Sequence, residues 1–170
     1  MIFRRLNRSD DRDAFDCGVE SVDAYLKRSA RQQTHKNLAL IFVLVEDESS
    51  TEIIGFYTLL MGTVACSAFP LKGLPLIGSA PIVLLAQLGV DRRWQGQGHG
   101  TRLLYGALSQ VMLAADHVGC LAVVLNPVDD HAAQFYKSRG FLELGDQSRR
   151  LFLPMSSIRR LFAEDPSAET

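Results

Sequence analysis

Gln87-Leu88-Gly89-Val90-Asp91-Arg92-Arg93-Trp94-Gln95-Gly96-Gln97-Gly98-His99-Gly100 is the stretch on which the reading of this chain turns. Its first residues complete an apolar run, Ile82 to Val90, that reads as a buried strand. Its last residues open a segment in which Leu103, Leu104, Ala107, Leu108, Val111 and Met112 recur at helical intervals. A strand therefore passes into a helix through Gly96, Gly98 and Gly100. Glycine lets a backbone approach a ligand closely, and the first amides of a helix form a partly positive concavity suited to a pyrophosphate. A merely flexible loop is the alternative. The dinucleotide fingerprint G-x-G-x-x-G does not fit, because the glycines run G-x-G-x-G. The P-loop does not fit either, since Thr101-Arg102 follows the last glycine instead of Lys-Ser or Lys-Thr.

Upstream, Ile2 to Leu6 reads as a first strand, and acids then cluster at Asp10, Asp11, Asp13 and Asp16 before Cys17-Gly18. Ser21 is placed as an N-cap with Asp23 in the first turn, and the spacing of Val22, Tyr25, Leu26, Ser29 and Ala30 predicts a helix to about Gln33. Leu38 to Val45 and Ile53 to Val64, joined by the acidic turn Glu46 to Ser50, predict a hairpin. A proline-containing loop covers about Ala65 to Pro81. Downstream, the glycine-led helix is expected to reach about His117, with a strand at Leu121 to Leu125 and a helix at Asp129 to Ser138 stopped by Gly140. Two short strands, Phe141 to Leu144 and Arg150 to Leu153, flank Gly145-Asp146, and Ser156 to Phe162 is amphipathic. This order predicts one mixed α/β domain over residues 1–163, followed by an acidic tail at 164–170.

The composition agrees. With 170 residues, 47% of them hydrophobic, and 18 basic against 19 acidic side chains, the chain can bury a core and is not generally disordered. Three separated cysteines exclude a disulfide-stapled scaffold. No histidine pair has zinc spacing, so no metal is expected. The uncharged run Ile53 to Leu71 is broken by Gly55, Gly62 and Pro70 into strand-length pieces, which argues against a membrane span. Met1 to Arg8 is not followed by the apolar stretch of a signal peptide, so a cytoplasmic protein is expected.

At Gln95-x-x-Gly98-x-Gly100 the sequence resembles the GCN5-related N-acetyltransferase (GNAT) superfamily, whose signature is Q/R-x-x-G-x-G/A after a strand. A second segment also matches: Asn126, Ala132 or Ala133, Tyr136 and Gly140-Phe141. The resemblance implies a mostly antiparallel central sheet, splayed at the cofactor site and flanked by helices. It implies that acetyl-CoA lies along the backbone of Leu88 and Val90, with its pyrophosphate on Gln95, Gly96, Gln97, Gly98, His99, Gly100 and Thr101, and with Asn126 on the cofactor side. It also implies that Tyr136 is the catalytic acid that returns a proton to the departing thiolate. A free tyrosine titrates near ~10 and a thiol near ~8.5, so this transfer depends on a hydrogen bond formed as charge develops on sulfur. The plain alternative is that Phe135 and Tyr136 are core-facing aromatics of a helix. No general base is evident: His99 reads as a solvent-facing variable position, His35 and His117 as helix ends, and His131 as an exposed helix residue.

Within the superfamily the chain resembles the acetyltransferase toxins of type II toxin–antitoxin systems, which acetylate aminoacyl-tRNA. The matching stretches are Phe15-Asp16-Cys17-Gly18, Leu26-Lys27 through Ala30-Arg31-Gln32, Ile54 to Leu59, Leu84 to Asp91, and Leu151 through Phe162. Gln87 stands where this branch usually has arginine, and Gly89 where it has alanine. The resemblance implies a homodimer and a DNA-binding antitoxin of ribbon-helix-helix type. Charge placement is compatible with RNA: Lys27, Arg28, Arg31, His35 and Lys36 lie in an acid-free stretch, with residues 27, 31 and 35 on one helical face. Arg92, Arg93 and Arg102 flank the glycine loop, and Arg149-Arg150 and Arg159-Arg160 add two more pairs. Lys27, Arg28, Arg31, Lys36, Arg92 and Arg93 are the expected tRNA contacts, although an ordinary solvated helix face also fits. An α-amine, titrating near ~7.7–8.0 against ~10.4 for lysine, suits a site without a strong base. The reading is an acetyl-CoA-dependent N-acetyltransferase that inhibits translation. Transfer to a protein or small-molecule amine, or a silent acyl-CoA-binding module, are the rivals.

Overall fold

A computed structural model describes residues 1–146 and 148–164; apart from the backbone of Glu164, the tail expected at 164–170 lies outside the described residues. Seven strands form one sheet in the order β1-β2-β3-β4-β5-β7-β6. They are β1 (Ile2–Arg5), β2 (Leu40–Val45), β3 (Gly55–Ala65), β4 (Ser79–Val90), β5 (Ala122–Leu125), β6 (Leu142–Glu143) and β7 (Leu151–Pro154). The helices are α1 (Glu20–Ala24), α2 (Ala30–His35), α3 (His99–Ala115), α4 (Asp130–Lys137) and α5 (Met155–Glu164), with a π-helical turn, Tyr25–Ser29, joining α1 to α2. This is the mixed α/β class expected. Strand β4 pairs with β5 in parallel, and β1 with β2, β2 with β3, β5 with β7 and β6 with β7 pair antiparallel.

The described chain contains two compact units. The first comprises Met1–Leu60 and Leu85–Ala107; the second comprises Met61–Leu84 and the chain from Leu108 onward. In the first unit β1, β2 and the start of β3 form an antiparallel ladder, with Ile2 opposite Val45 and Leu40 opposite Leu59. Alternation along these strands sends Ile41, Val43, Val45 and Phe56 into a core closed by Phe15, Val22 and Leu26. Phe15 meets Phe56 edge-on at 5.3 Å, and Tyr25 stacks over the same ring at 6.5 Å.

Ser21 is not the N-cap. The helix begins at Glu20 with Val19 as cap residue, and no side chain caps it. Asp23 explains the shift: its carboxylate accepts from the amide of Cys17 at 2.8 Å, just before Gly18 turns the chain at φ +86°. The helix then runs past Gln33 to His35 through the π turn, whose extra residue alters which side chains share a face.

In the second unit Ile82–Leu84 of β4 pair in parallel with Ala122–Val124, and β7 runs antiparallel to both β5 and β6. Val64, Phe69, Ile82, Val124 and Phe152 form its core, with Phe69 edge-on to Phe152 at 5.1 Å. Asp129 caps α4 by accepting from Ala132 N at 2.7 Å, and Gly140 ends the following turn at φ +91°. No helix among the described residues is long and apolar enough to cross a membrane.

Gly55 sets a close approach in the first unit. A Cβ there would lie 2.7 Å from Leu103 Cδ1 and 2.9 Å from the carbonyl oxygen of Gly89, so strand, helix and backbone meet where no methyl fits. Gly55→Ala is expected to destabilise the protein by about 1–3 kcal/mol. Gly119→Ala, where a Cβ meets nothing within 4 Å, is expected to stay within about 0.5 kcal/mol. Urea unfolding of both variants checks this; equal effects would show that Gly55 is not a packing constraint.

Candidate active site

The turn that delivers β4 to the glycine loop is organised by Asp91. This aspartate is 1% exposed and accepts four hydrogen bonds. Arg93 N (3.0 Å) and Arg93 Nε (2.8 Å) reach Oδ1, while Arg93 Nη2 (2.9 Å) and Asp16 N (3.2 Å) reach Oδ2. Its own amide donates to Ile54 O at 2.9 Å. Burial opposes the charge of this carboxylate, but the hydrogen bonds from Arg93 and the amides hold it below the usual aspartate range. Gln95 adds a second brace, its side-chain amide donating to Cys17 O and Val90 O, both at 2.9 Å. The side chain of Gln95 therefore positions the loop, and it engages the carbonyl of one of the two residues expected to bind acetyl-CoA through backbone groups.

Leu88 and Val90 are half-buried at the end of β4, and Gln95 to Thr101 follow in the same unit. Gly96 and Gly98 have φ of +75° and +84°, and a Cβ on either would meet nothing within 4 Å. Conformation, not crowding, demands glycine there. His99 is not solvent-facing as expected: it opens α3, is only 9% exposed, and its ring lies edge-on to Trp94 at 6.0 Å. Packing against Trp94 turns it inward. Trp94 Nε1 and His99 Nε2 are both buried without a hydrogen-bond partner. Two open positive-φ glycines at the start of a 17-residue helix fit a ligand rich in acceptor oxygens, such as a pyrophosphate. Sequence reasoning passed over Trp94 and the bonding of Asp91; only the closeness of Asp91 to Arg93 signals the latter.

Asn126 and Tyr136 belong to the second unit. Asn126 is exposed directly after β5. Tyr136 is buried on α4, edge-on to Phe141 at 5.5 Å and to Phe135 at 5.1 Å. Burial pushes its phenol up to about 12, against a smaller opposing effect from the Arg139 charge. Arg139 lies 3.8 Å from the centre of the Phe135 ring. Gln87 is half-buried. Gly89 has a packing reason, since a Cβ there would sit 3.1 Å from Val22 Cγ1 and 3.4 Å from Cys17.

The expected RNA contacts divide. Arg92 is 3.4 Å from Asp16, and Arg93 bridges Asp91 and Glu52 at 2.8 and 2.9 Å. Arg102 donates to Met1 O at 2.8 Å. Lys27, Arg28, Arg31 and Lys36 form no ion pair among the described residues. Arg28 and Arg31 line a cavity of about 540 Å³, whereas Lys27 and Lys36 do not. Among the described residues no three His, Cys, Asp or Glu side chains converge as metal ligands.

The model of the acetyltransferase (GNAT) family matches residues 5–141. The chain is 32% identical over 164 residues to the tRNA-acetylating toxin of Mycobacterium tuberculosis, covering 95% of this chain and 96% of that protein. The fold is similar to that of AtaT complexed with acetyl-methionyl-tRNAfMet, with a TM-score of 0.86, 29% identity, and 95% and 98% of the two chains covered. It is also similar to a mutant AtaT toxin bound to the C-terminus of the antitoxin AtaR and acetyl-CoA, with a TM-score of 0.80, 28% identity, and 95% and 97% covered.

Asp91 gives a test of the turn. Because its folded-state pKa is depressed, its stabilisation is fully present above the unfolded value near ~3.9 and is lost as pH falls through the folded value. Asp91→Asn is expected to cost about 1–3 kcal/mol at neutral pH. The gap from wild type should narrow below about pH 4. Urea unfolding across that range checks it; a gap independent of pH would contradict the assignment.

Proposed function

The chain belongs to the acetyltransferase (GNAT) family, and from that membership we propose that it transfers the acetyl group of acetyl-CoA to the α-amine of aminoacyl-tRNA, blocking translation. Likeness over 95% of the chain to a protein named for acetylating tRNA carries this reading. The glycine loop takes the pyrophosphate, and the end of β4 takes the pantetheine arm. Leu88, Val90, Asn126 and residues 95–101 are the cofactor contacts. The free amine attacks the thioester carbon, the carbon–sulfur bond breaks, the amine loses one proton and the thiolate gains one. Tyr136 supplies that proton. A phenol raised to about 12 stays protonated throughout the working range, so it remains a donor. Its acidity does not drive the transfer; a hydrogen bond formed as sulfur becomes charged does. A substrate amine titrating near ~8 needs no strong base. We propose further that the protein works as a homodimer in the cytoplasm and is neutralised by a DNA-binding antitoxin of ribbon-helix-helix type.

Incubation with labelled acetyl-CoA and a charged tRNA pool should place label on the aminoacyl group and none on deacylated tRNA. Label confined to lysines or small free amines would overturn the tRNA reading. Tyr136→Phe should lower kcat by about 100-fold or more with little change in acetyl-CoA affinity. Unchanged turnover would remove Tyr136 from the chemistry. With the phenol at about 12, the wild-type rate should show no alkaline loss from tyrosine ionisation up to roughly pH 10.

A further inference from the structure

One arginine closes the end of α4. Arg139 lies just beyond the helix, and its backbone amide donates to Tyr136 O at 3.0 Å. Its side chain turns back along the chain, with Nη1 donating to Phe135 O at 2.8 Å and to Ser138 Oγ at 3.1 Å. Ser138 Oγ donates to the same Phe135 carbonyl at 2.9 Å. Basic side chains commonly satisfy the last carbonyls of a helix in this way. Here the guanidinium also lies 3.8 Å from the centre of the Phe135 ring, and that ring meets Tyr136 edge-on at 5.1 Å. We propose that Arg139 is a positioning residue for Tyr136: it holds the aromatic wall against the phenol and keeps a positive charge near it as the thiolate departs. The assignment rests on the reading of Tyr136 as proton donor given above.

The chemistry gives such a charge a task. As the carbon–sulfur bond breaks, the phenol proton passes to sulfur and a phenolate is left on Tyr136. The proton shed by the attacking amine balances it, and solvent returns one to the phenolate. Tyr136 is only 8% exposed, and an anion at a buried position is costly unless a positive charge or hydrogen bonds compensate it. Burial raises the phenol, and the Arg139 charge acts in the opposite direction. A guanidinium stays charged throughout the working range and stacks flat on aromatic faces, so one side chain can hold the Phe135 ring and supply the charge. Lys137 lies closer to Tyr136 in sequence, but its ammonium is paired with Glu143. Arg139 therefore acts through Tyr136, by placing its ring and by easing the interval in which its oxygen is charged.

The test follows release of the CoA thiol by the full-length protein with two acceptors, charged tRNA and a mixture of amino-acid methyl esters. Arg139→Gln is expected to lower kcat by about tenfold. The KM values for acetyl-CoA and for the acceptor should change by less than about twofold. Arg139→Lys keeps the charge and should retain at least about a third of the wild-type kcat. In a Tyr136→Phe background, Arg139→Gln should cost no more than about a further twofold, because groups that act as a unit are not additive. Lys137→Gln, which removes a paired charge from the same helix, should leave kcat unchanged. If Arg139→Gln does not fold, Arg139→Met, which keeps an unbranched stem, is held to the same expectations. Wild-type kcat in the folded variant would overturn the assignment. So would an equal loss of kcat with and without the Tyr136 hydroxyl, or a raised KM with kcat intact. The acceptors separate this assignment from the tRNA reading. Transfer by wild type to the esters and not to charged tRNA overturns the tRNA reading, and Arg139 then stands or falls on the esters. Transfer to charged tRNA with Arg139→Gln unimpaired does the reverse, and no CoA release with either acceptor overturns both.

Discussion

Asp91 is a carboxylate taken out of water and kept charged, and the candidate cofactor loop depends on how it is satisfied. It sits where β4 must leave the sheet and turn into the glycine loop. Its oxygens collect two backbone amides and a two-point guanidinium contact, which joins the turn at Asp16, the end of β4 and Arg93. A buried carboxylate that lost these donors would face the full cost of desolvation. Gln95 extends the same brace to Cys17 and Val90. Gly96 and Gly98 are thereby presented from a fixed base, which is what a backbone anion cradle needs.

The same arrangement uses part of the basic charge of the first unit. Arg4, Arg92 and Arg93 are neutralised by Asp10, Asp16, Asp91 and Glu52, and their charge is used in holding the fold. Arg8, Arg12, Arg28 and Arg31 line one cavity and form no ion pair among the described residues. A formal net charge of −1 therefore conceals a local basic surface, because Asp10 and Asp16 are paired with Arg4 and Arg92. Any RNA affinity of such a surface is local and salt-sensitive.

The fold was legible wherever periodicity or turn chemistry was strong. The alternating and β-branched runs located β2, β3 and β4, the glycines marked the start of α3, and Gly145-Asp146 marked the β6–β7 turn. What could not be read were contacts made across the chain. Ser21 has the right chemistry for a cap, but Asp23 bonded to Cys17 N draws the helix start back to Glu20. The π turn over Tyr25–Ser29 interrupts the regular helix that the spacing predicts. His99 reads as a loop residue until Trp94 covers it. The site residues recognised by family resemblance are local motifs, so they could be numbered from sequence; the cavity is not local and could not.

Charged tRNA is the molecule that the proposed reaction consumes. Cell-free translation with the purified protein tests it directly. Arrest should require acetyl-CoA and be relieved by fresh aminoacyl-tRNA supplied after acetyl-CoA is exhausted. Arrest without acetyl-CoA, or arrest that fresh aminoacyl-tRNA does not relieve, would contradict the account.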